Sequence, residues 1–222
     1  MMFAKGNEDE HMNELNKGAE LNAPGWEAIE NAINHLYKEK VKQVEHFGVL
    51  QSWRLGGNDP LDGISILDGG DYYHFVTFGL SELYEKETKD PEYSGFGFEL
   101  TIKLKKDSLA DEDAEFRCMA GILQAVARIS YTQGDIFQPD EYIYTGQDKG
   151  MDYEQKSKIT GFITKEDEMG TIDTVHGKVQ FVQLIGATDA ELRTLVDKKM
   201  TVAELAEKIG TDLTDYKRES VI

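Results

Sequence analysis

Hydrophobic and polar residues recur with two different periods along this chain of 222 residues, which predicts a mixture of helices and strands. Apolar residues at helical spacing predict one helix over Pro24–Tyr37 and a longer one over Glu112–Tyr131, which Gly134 ends. Phe98–Leu104 alternates apolar and polar residues, so we expect a strand with one buried face and one face in water. The same reasoning predicts further strands over Val49–Trp53, Ile64–Leu67, Tyr72–Phe78, Lys158–Thr164 and Gly177–Ile185.

Two capping boxes, Thr188 with Glu191 and Thr201 with Glu204, predict two short closing helices, the second of which ends at Gly210. Helices and strands do not alternate strictly along the chain. This order favours an α+β fold with a mixed, largely antiparallel β-sheet and helices packed on it, in a single domain. We assign residues 1–21 to a polar N-terminal arm, residues 22–210 to the domain and residues 211–222 to a C-terminal tail.

The chain is strongly acidic, with 42 acidic and 24 basic residues and a net charge of -18. Such a field repels nucleic acid and anionic membranes, and it accelerates encounter with basic partners. The acidity also suits a protein that only needs to stay soluble. No apolar run is long enough for a membrane helix, the first residues lack the pattern of a secretory signal, and the single cysteine, Cys118, cannot form an internal disulfide. We therefore predict a cytoplasmic protein whose partners are neither nucleic acid nor membrane.

Residues with catalytic potential do not form a recognised pattern. None of the five histidines has the spacing of a metal-binding pair, so we predict neither a metal nor a cofactor. Ser81 stands in GLSEL, which lacks the second glycine of a nucleophile elbow. We predict that the protein is not an enzyme. The alternative is a small-molecule enzyme in which His74 acts with a carboxylate, for which Glu82, Glu99 and Asp173 are the candidates.

Three blocks of strand-forming residues broken by Gly, Pro and Asp are the most specific feature of the sequence: WRLGGNDPLDGIS, HFVTFGLSELYEKE and SGFGFELTIKL. A fourth block, GTIDTVHGKVQFVQLIGAT, follows in order. Together they resemble the Suppressor of fused domain, and the resemblance extends from about Pro24 to about Leu195. The turn and glycine positions that carry this motif are Trp53, Gly56, Gly57, Asp59, Pro60, Asp62, Gly95 and Gly97.

The resemblance implies a protein-binding domain. Animal members of the family bind a transcription-factor peptide and keep it inactive, whereas bacterial stand-alone members are regarded as immunity proteins that neutralise toxins. The family's contact region aligns with about Ile129–Glu141, which implies an aromatic-position contact at Ile129 and an acidic contact at Glu141 or Asp140. The same stretch brings Asp135, Phe137 and Tyr142 beside them, and we predict that these residues also bind the partner. Ile129 stands where the family has an aromatic residue, which argues for a different ligand.

A basic toxin suits the acid excess, so the leading hypothesis is an immunity protein that neutralises a toxin by direct binding. The alternative is a cytosolic regulator that sequesters a transcription factor or another protein. The turn from Asp59 to Asp62 is a competing surface, and the segment from Asp135 to Glu141 is the preferred one.

Overall fold

An eight-stranded β-sheet with helices on both faces forms the framework of the protein in the computed structural model, which describes residues 22–38, 40–51 and 53–222. The predicted arm at residues 1–21 lies outside the described residues. The strands are β1 (Gln43–Gly48), β2 (Gly63–Asp68), β3 (Tyr72–Phe78), β4 (Tyr93–Lys105), β5 (Tyr142–Tyr144), β6 (Ile159–Thr174), β7 (Gly177–Thr188) and β8 (Leu213–Thr214). The helices are α1 (Pro24–Tyr37), α2 (Glu112–Gln133), α3 (Asp189–Val196) and α4 (Val202–Ile209), with 3-10 turns at Trp53–Leu55 and Lys106–Ser108.

The strands are ordered β1-β2-β3-β4-β7-β6-β5, and β8 pairs separately with β4. The β4–β7 and β4–β8 pairs are parallel, and the other pairs are antiparallel. The predicted α+β fold with a mixed, largely antiparallel sheet in one domain is therefore confirmed. No helix in the described part of the chain combines the length and the apolar character needed to cross a membrane.

One face of the sheet packs against α2 and forms the largest hydrophobic core. The apolar residues of β4, which recur every second position, contact the apolar stripe of α2, which recurs every three to four positions. The residues that β4 and α2 bring to this core are Phe98, Leu100, Ile102, Leu104, Phe116, Met119, Leu123 and Val126. The opposite face carries two separate clusters, one beneath α1 around Ile29 and Phe181 and one beneath α3 and α4 around Leu192 and Leu205.

The helix-ending signals in the sequence are confirmed. Gly134 ends α2 in the left-handed conformation, and Gly210 does the same for α4. Both predicted capping boxes are present, at the starts of α3 and α4. The residues that follow α4, which the sequence analysis sets apart as a tail, pair with β4 through β8 and place a buried Tyr216 in the core of the α2 face.

The prediction of a strand over Val49–Trp53 was wrong. The strand lies earlier, at β1, where Phe47 pairs with Ile64 of β2, and the chain then leaves the sheet with Leu50 fully exposed. The apolar residues of Val49–Trp53 are typical of a strand, whereas β1 is an exposed edge strand with little apolar alternation. Its pairing with β2 decides its position, because β-propensity depends on packing partners more than on the residues alone.

The prediction that β4 has one face in water was also wrong. Glu99, Thr101 and Lys103 are each at most 1% exposed, because helices cover this face of the sheet as well. Each finds polar partners. Thr101 Oγ1 donates to Asp167 Oδ2 at 2.8 Å, and Lys103 Nζ donates to carboxylates of Glu168 and Asp212 at 2.9 and 2.7 Å. Buried polar groups with this degree of satisfaction are compatible with a stable interior.

Glu99 is the most enclosed of these groups. Its carboxylate accepts hydrogen bonds from Thr77 Oγ1 at 2.6 Å, the Gly79 amide at 2.9 Å, and the amide and hydroxyl of Ser81 at 2.9 and 2.7 Å. Burial nevertheless raises the pKa of the Glu99 carboxyl to about 7, since desolvation of the charged form outweighs the donors. The Ser81 hydroxyl thus holds a buried carboxylate in place.

We expect Glu99→Gln to flatten the dependence of the unfolding free energy on pH. A carboxyl that titrates at 4.5 when unfolded and near 7 when folded contributes stability below the unfolded pKa and loses it as the pH rises through the folded pKa. A shift of this size corresponds to about 3 kcal/mol between about pH 4 and pH 8. Urea titrations across that range measure it, with the exposed Glu166→Gln on β6 as control. Parallel curves for wild type and Glu99→Gln would contradict this assignment.

Candidate partner-binding site

The segment that joins α2 to β5, residues 134–142, runs along one edge of the sheet and carries most of the predicted contact residues. We call this segment the rim. Two left-handed residues set its path: Gly134, with φ 80°, where α2 ends, and Asp140, with φ 66°, just before β5. Aspartate is one of the few residues other than glycine that tolerate this conformation. The rim is therefore reversed at both ends and lies against β6.

Thr164 of β6 holds the rim in place through hydrogen bonds from its side chain and its backbone. Its hydroxyl, on a side chain that is 1% exposed, donates to the Gln138 carbonyl at 2.6 Å and accepts from the Glu141 amide at 2.8 Å. Its backbone accepts from the Asp140 amide at 3.0 Å and donates to the Glu141 carbonyl at 2.9 Å. Glu141 Oε2 adds a bond from the Gln138 amide at 2.9 Å. These contacts hold the rim in one shape before any partner arrives.

The predicted contact residues divide into an anchor and an exposed row. Phe137 is half-buried and packs edge-on against Phe98, with ring centroids 6.1 Å apart. Ile129 is also half-buried, in the last turns of α2. The exposed row consists of Asp135, Asp140, Glu141 and Tyr142, to which the structure adds Ile136. The rim therefore presents three carboxylates beside two exposed apolar side chains.

A cavity of about 620 Å³ opens beside the rim, and the sequence analysis did not identify it. Ile136 and Gln138 form one side, and Tyr93 and Phe96 at the start of β4 form another. Gly95 shapes this side, because its φ is 59° and a Cβ atom at this position would lie only 2.6 Å from the Leu80 carbonyl oxygen, which excludes any side chain. The flanking glycines of GFGFEL were the available signal, but only the fold brings them next to the rim.

The turn of the DPLDG motif lies at the opposite edge of the sheet from the rim, beside β1. Pro60 is buried and Asp59 is exposed, and Asp59 lies 3.4 Å from the guanidinium of Arg128 on α2. The Asp62 backbone continues the β2 ladder by donating to the Phe78 carbonyl at 2.8 Å and accepting from the Val49 amide at 3.3 Å. The remaining motif positions are the half-buried Trp53 and Gly57, the left-handed Gly56, and Gly95 and Gly97, both with positive φ.

The enzyme alternative finds little support around His74. The structure places His74 beside a different carboxylate from those considered: its Nε2 lies 3.3 Å from Asp167 Oδ2, and its Nδ1 lies 2.8 Å from the Tyr37 hydroxyl. Burial raises the pKa of the Asp167 carboxyl, but the contact with His74 and hydrogen bonds from the Met169 amide and the Thr101 hydroxyl outweigh it and hold the pKa below its usual value. The His74 side chain is fully buried, and its contact with Tyr37 joins α1 to the sheet.

Within the described residues, neither hydrogen bond nor ion pair joins His74 to Glu82, Glu99 or Asp173. The Glu82 carboxylate is buried and accepts from the amides of Glu87 and Thr88, whereas Asp173 is exposed near the end of β6. Within the described ranges, His, Cys, Asp and Glu side chains form no group of three that could hold a metal ion.

Comparisons with known proteins agree on one family. The family model described as Suppressor of fused protein (SUFU) matches residues 57–219. The human and mouse proteins named Suppressor of fused homolog are each 28% identical to this chain over 183 residues, which cover 77% of this chain and 37% of those proteins. The chain therefore spans little more than a third of the length of these relatives.

Two solved structures are similar over nearly all of the chain. The first, described as the Sufu-Fu complex crystal structure, has a TM-score of 0.75 at 26% identity and covers 90% of this chain and 93% of its own. The second, Drosophila Suppressor of Fused, has a TM-score of 0.74 at 27% identity and covers 91% of this chain and 52% of its own. The likeness to Drosophila Suppressor of Fused thus spans about half of that protein chain.

We expect Thr164→Val to loosen the rim. The substitution keeps the shape of the side chain but leaves the Gln138 carbonyl and the Glu141 amide without their hydroxyl partner, which costs about 1–3 kcal/mol of unfolding free energy. Amide hydrogen exchange should accelerate most between Gln138 and Glu141. Thr160→Val, on the same strand, is the matched control, because the buried Thr160 hydroxyl has no hydrogen-bond partner. Equal destabilisation by both variants would refute the role of Thr164.

Proposed function

The chain belongs to the Suppressor of fused family, and on this basis we propose that it is a non-catalytic, protein-binding domain that acts in the cytoplasm. Its partner binds at the rim. The observation that carries this proposal is a fixed loop that presents exposed carboxylates and exposed apolar residues side by side. A surface of this kind binds without an ordering cost, because its shape exists before the partner arrives.

The chemistry of the rim favours a basic partner. Asp135, Asp140 and Glu141 are exposed on a chain with a net charge of -18. Both the long-range field of the chain and the local carboxylates therefore attract a basic partner. Ile136 and Tyr142 supply the apolar contacts, and the neighbouring cavity accepts a side chain of the partner. β5 lies at the end of the order of the described strands, and among these strands only β6 pairs with it, so its outer edge is available for an extended segment to pair with.

The partner that best suits these features is a basic toxin, which makes the protein an immunity protein that neutralises the toxin by direct binding. The acid excess and the family resemblance support this role. The second candidate is a regulator that sequesters a transcription factor or another protein. That candidate is favoured by the similar structure whose description names a complex of Sufu with Fu, a protein partner.

Affinity capture from the lysate of the source organism, compared between wild type and a rim variant, identifies the partner. A secreted or contact-delivered toxin, together with sensitivity to sibling cells when the gene is deleted, supports the immunity role. A DNA-binding protein or a signalling protein supports the regulator instead. Equal association rates of the captured partner with wild type and with the rim variant would overturn the assignment to the rim.

The rim variant we choose is Asp135→Asn with Asp140→Asn, since asparagine keeps the size of aspartate and also tolerates the left-handed conformation at Asp140. We expect association with the captured partner to slow about two- to fivefold at low salt, with a weaker salt dependence and little change in the dissociation rate. Glu27→Gln with Glu207→Gln removes the same charge from exposed positions on α1 and α4 and is the control. Surface plasmon resonance at several salt concentrations measures both rates, and equal slowing by the control pair would assign the effect to net charge alone.

A further inference from the structure

A second groove lies at the other end of the sheet, between the edge strand β1 and helix α2. It encloses about 360 Å³. Phe47 of β1, Ile64 of β2 and Ala120 of α2 form its apolar base, and Gly121 and Ala125 of α2 line it further. β1 is the terminal strand in the sheet order, so among the described strands only β2 pairs with it. The groove therefore runs beside an open strand edge.

Two arginines line this groove, although the chain as a whole has a net negative charge. Arg117 is exposed, and neither hydrogen bond nor ion pair engages it within the described residues. Arg128 donates to the Asn58 carbonyl at 2.6 Å and lies 5.8 Å from the Trp53 ring, whereas its buried Nε has no acceptor. The single acidic residue of the lining is Asp59, which pairs with Arg128. The lining thus carries net positive charge although the whole chain carries -18.

Gly121 gives a second, independent indication. A glycine in the interior of a helix costs about 1 kcal/mol relative to alanine. Here a Cβ added at Gly121 meets no atom within 4 Å. The packing of the described chain therefore gives no reason for the absence of a side chain at this position. A glycine that faces an open groove permits the backbone of another chain to approach α2 closely.

We propose that this groove binds an extended, acidic segment of a partner protein, which adds to β1 as a further strand. The backbone of the segment pairs with the open edge of β1, and its apolar side chains enter the groove over Phe47 and Ala120. Its carboxylates meet Arg117 and Arg128. Charge complementarity with the two arginines identifies an acidic segment as the occupant, and the test distinguishes it from a second copy of this chain. This surface is separate from the rim and takes a partner of opposite charge.

The geometry also sets the spacing of the carboxylates. Arg128 follows Arg117 by about three helical turns, so both lie on the same side of α2 and their Cα atoms are roughly 16 Å apart. An extended segment advances about 3.3 Å per residue and returns to the same face every second residue. Carboxylates separated by about four to six residues, with apolar residues between them on the same face, therefore fit the groove.

The test uses a fluorescent nine-residue peptide with the sequence Thr-Glu-Thr-Val-Thr-Val-Thr-Glu-Thr, which we call the Glu peptide. A peptide with Lys in place of Glu is its matched counterpart. We expect the wild-type protein to bind the Glu peptide at least about tenfold more tightly than the Lys peptide in fluorescence anisotropy. Arg117→Ala should weaken binding of the Glu peptide about tenfold and reduce its salt dependence.

Gly121→Leu is designed to fill the groove, with Gly121→Ala as its control. Both replace a helical glycine and should preserve or raise the melting temperature, so loss of folding does not explain a loss of binding. We expect Gly121→Leu to abolish binding of the Glu peptide and Gly121→Ala to retain it. The rim variant Asp135→Asn with Asp140→Asn should bind the Glu peptide as wild type does.

Three results would overturn the proposal. They are equal binding of the Glu and Lys peptides, retained binding by Gly121→Leu, and a dimer in sedimentation that Gly121→Leu dissociates. The last result would identify a second copy of the chain as the occupant of the groove.

Discussion

The burial of both faces of β4 is the constraint on which the rest of the structure depends. β4 lies in the middle of the sheet, and helices cover both faces of the sheet, so its polar side chains do not reach water. A buried carboxylate or ammonium group without partners is very unfavourable, and the chain must therefore supply partners for Glu99, Thr101 and Lys103. These partners come from segments that are distant in sequence, and β4 thereby fixes where those segments lie.

Each buried polar group of β4 organises a different part of the molecule. Glu99 accepts hydrogen bonds from Thr77, at the end of β3, and from Gly79 and Ser81, which follow β3. Thr101 and Lys103 bond to Asp167 and Glu168, which stand where the register of β6 shifts against β7. Lys103 also bonds to Asp212, which holds the chain after α4 against the sheet. A break in strand register re-aims the side chains beside it, and here Asp167 and Glu168 bond to the central strand.

The two proposed binding surfaces lie at the two ends of this rigid sheet and differ in charge. The rim beside β5 is acidic, and Thr164 of β6 holds it in shape. The groove beside β1 is lined by Arg117 and Arg128. Hydrogen bonds to Thr164 give the rim its shape before a partner binds, which lowers the ordering cost of binding. A domain with two such edges is suited to contact one partner of each charge, or two parts of the same partner.

The sequence by itself determined the elements whose signals are local. The stripe of α2, its end at Gly134 and the capping boxes of α3 and α4 depend on residues within one or two turns, so they were predicted correctly. Family resemblance identified the motif blocks. Only the tertiary structure decided that the polar face of β4 is buried, that β1 precedes Val49, that His74 meets Asp167, and that Tyr93 and Phe96 face a cavity beside the rim. Each of these features depends on contacts between residues far apart in the chain. Alternation of apolar and polar residues shows which residues share a face of a strand, but it does not show what packs against that face.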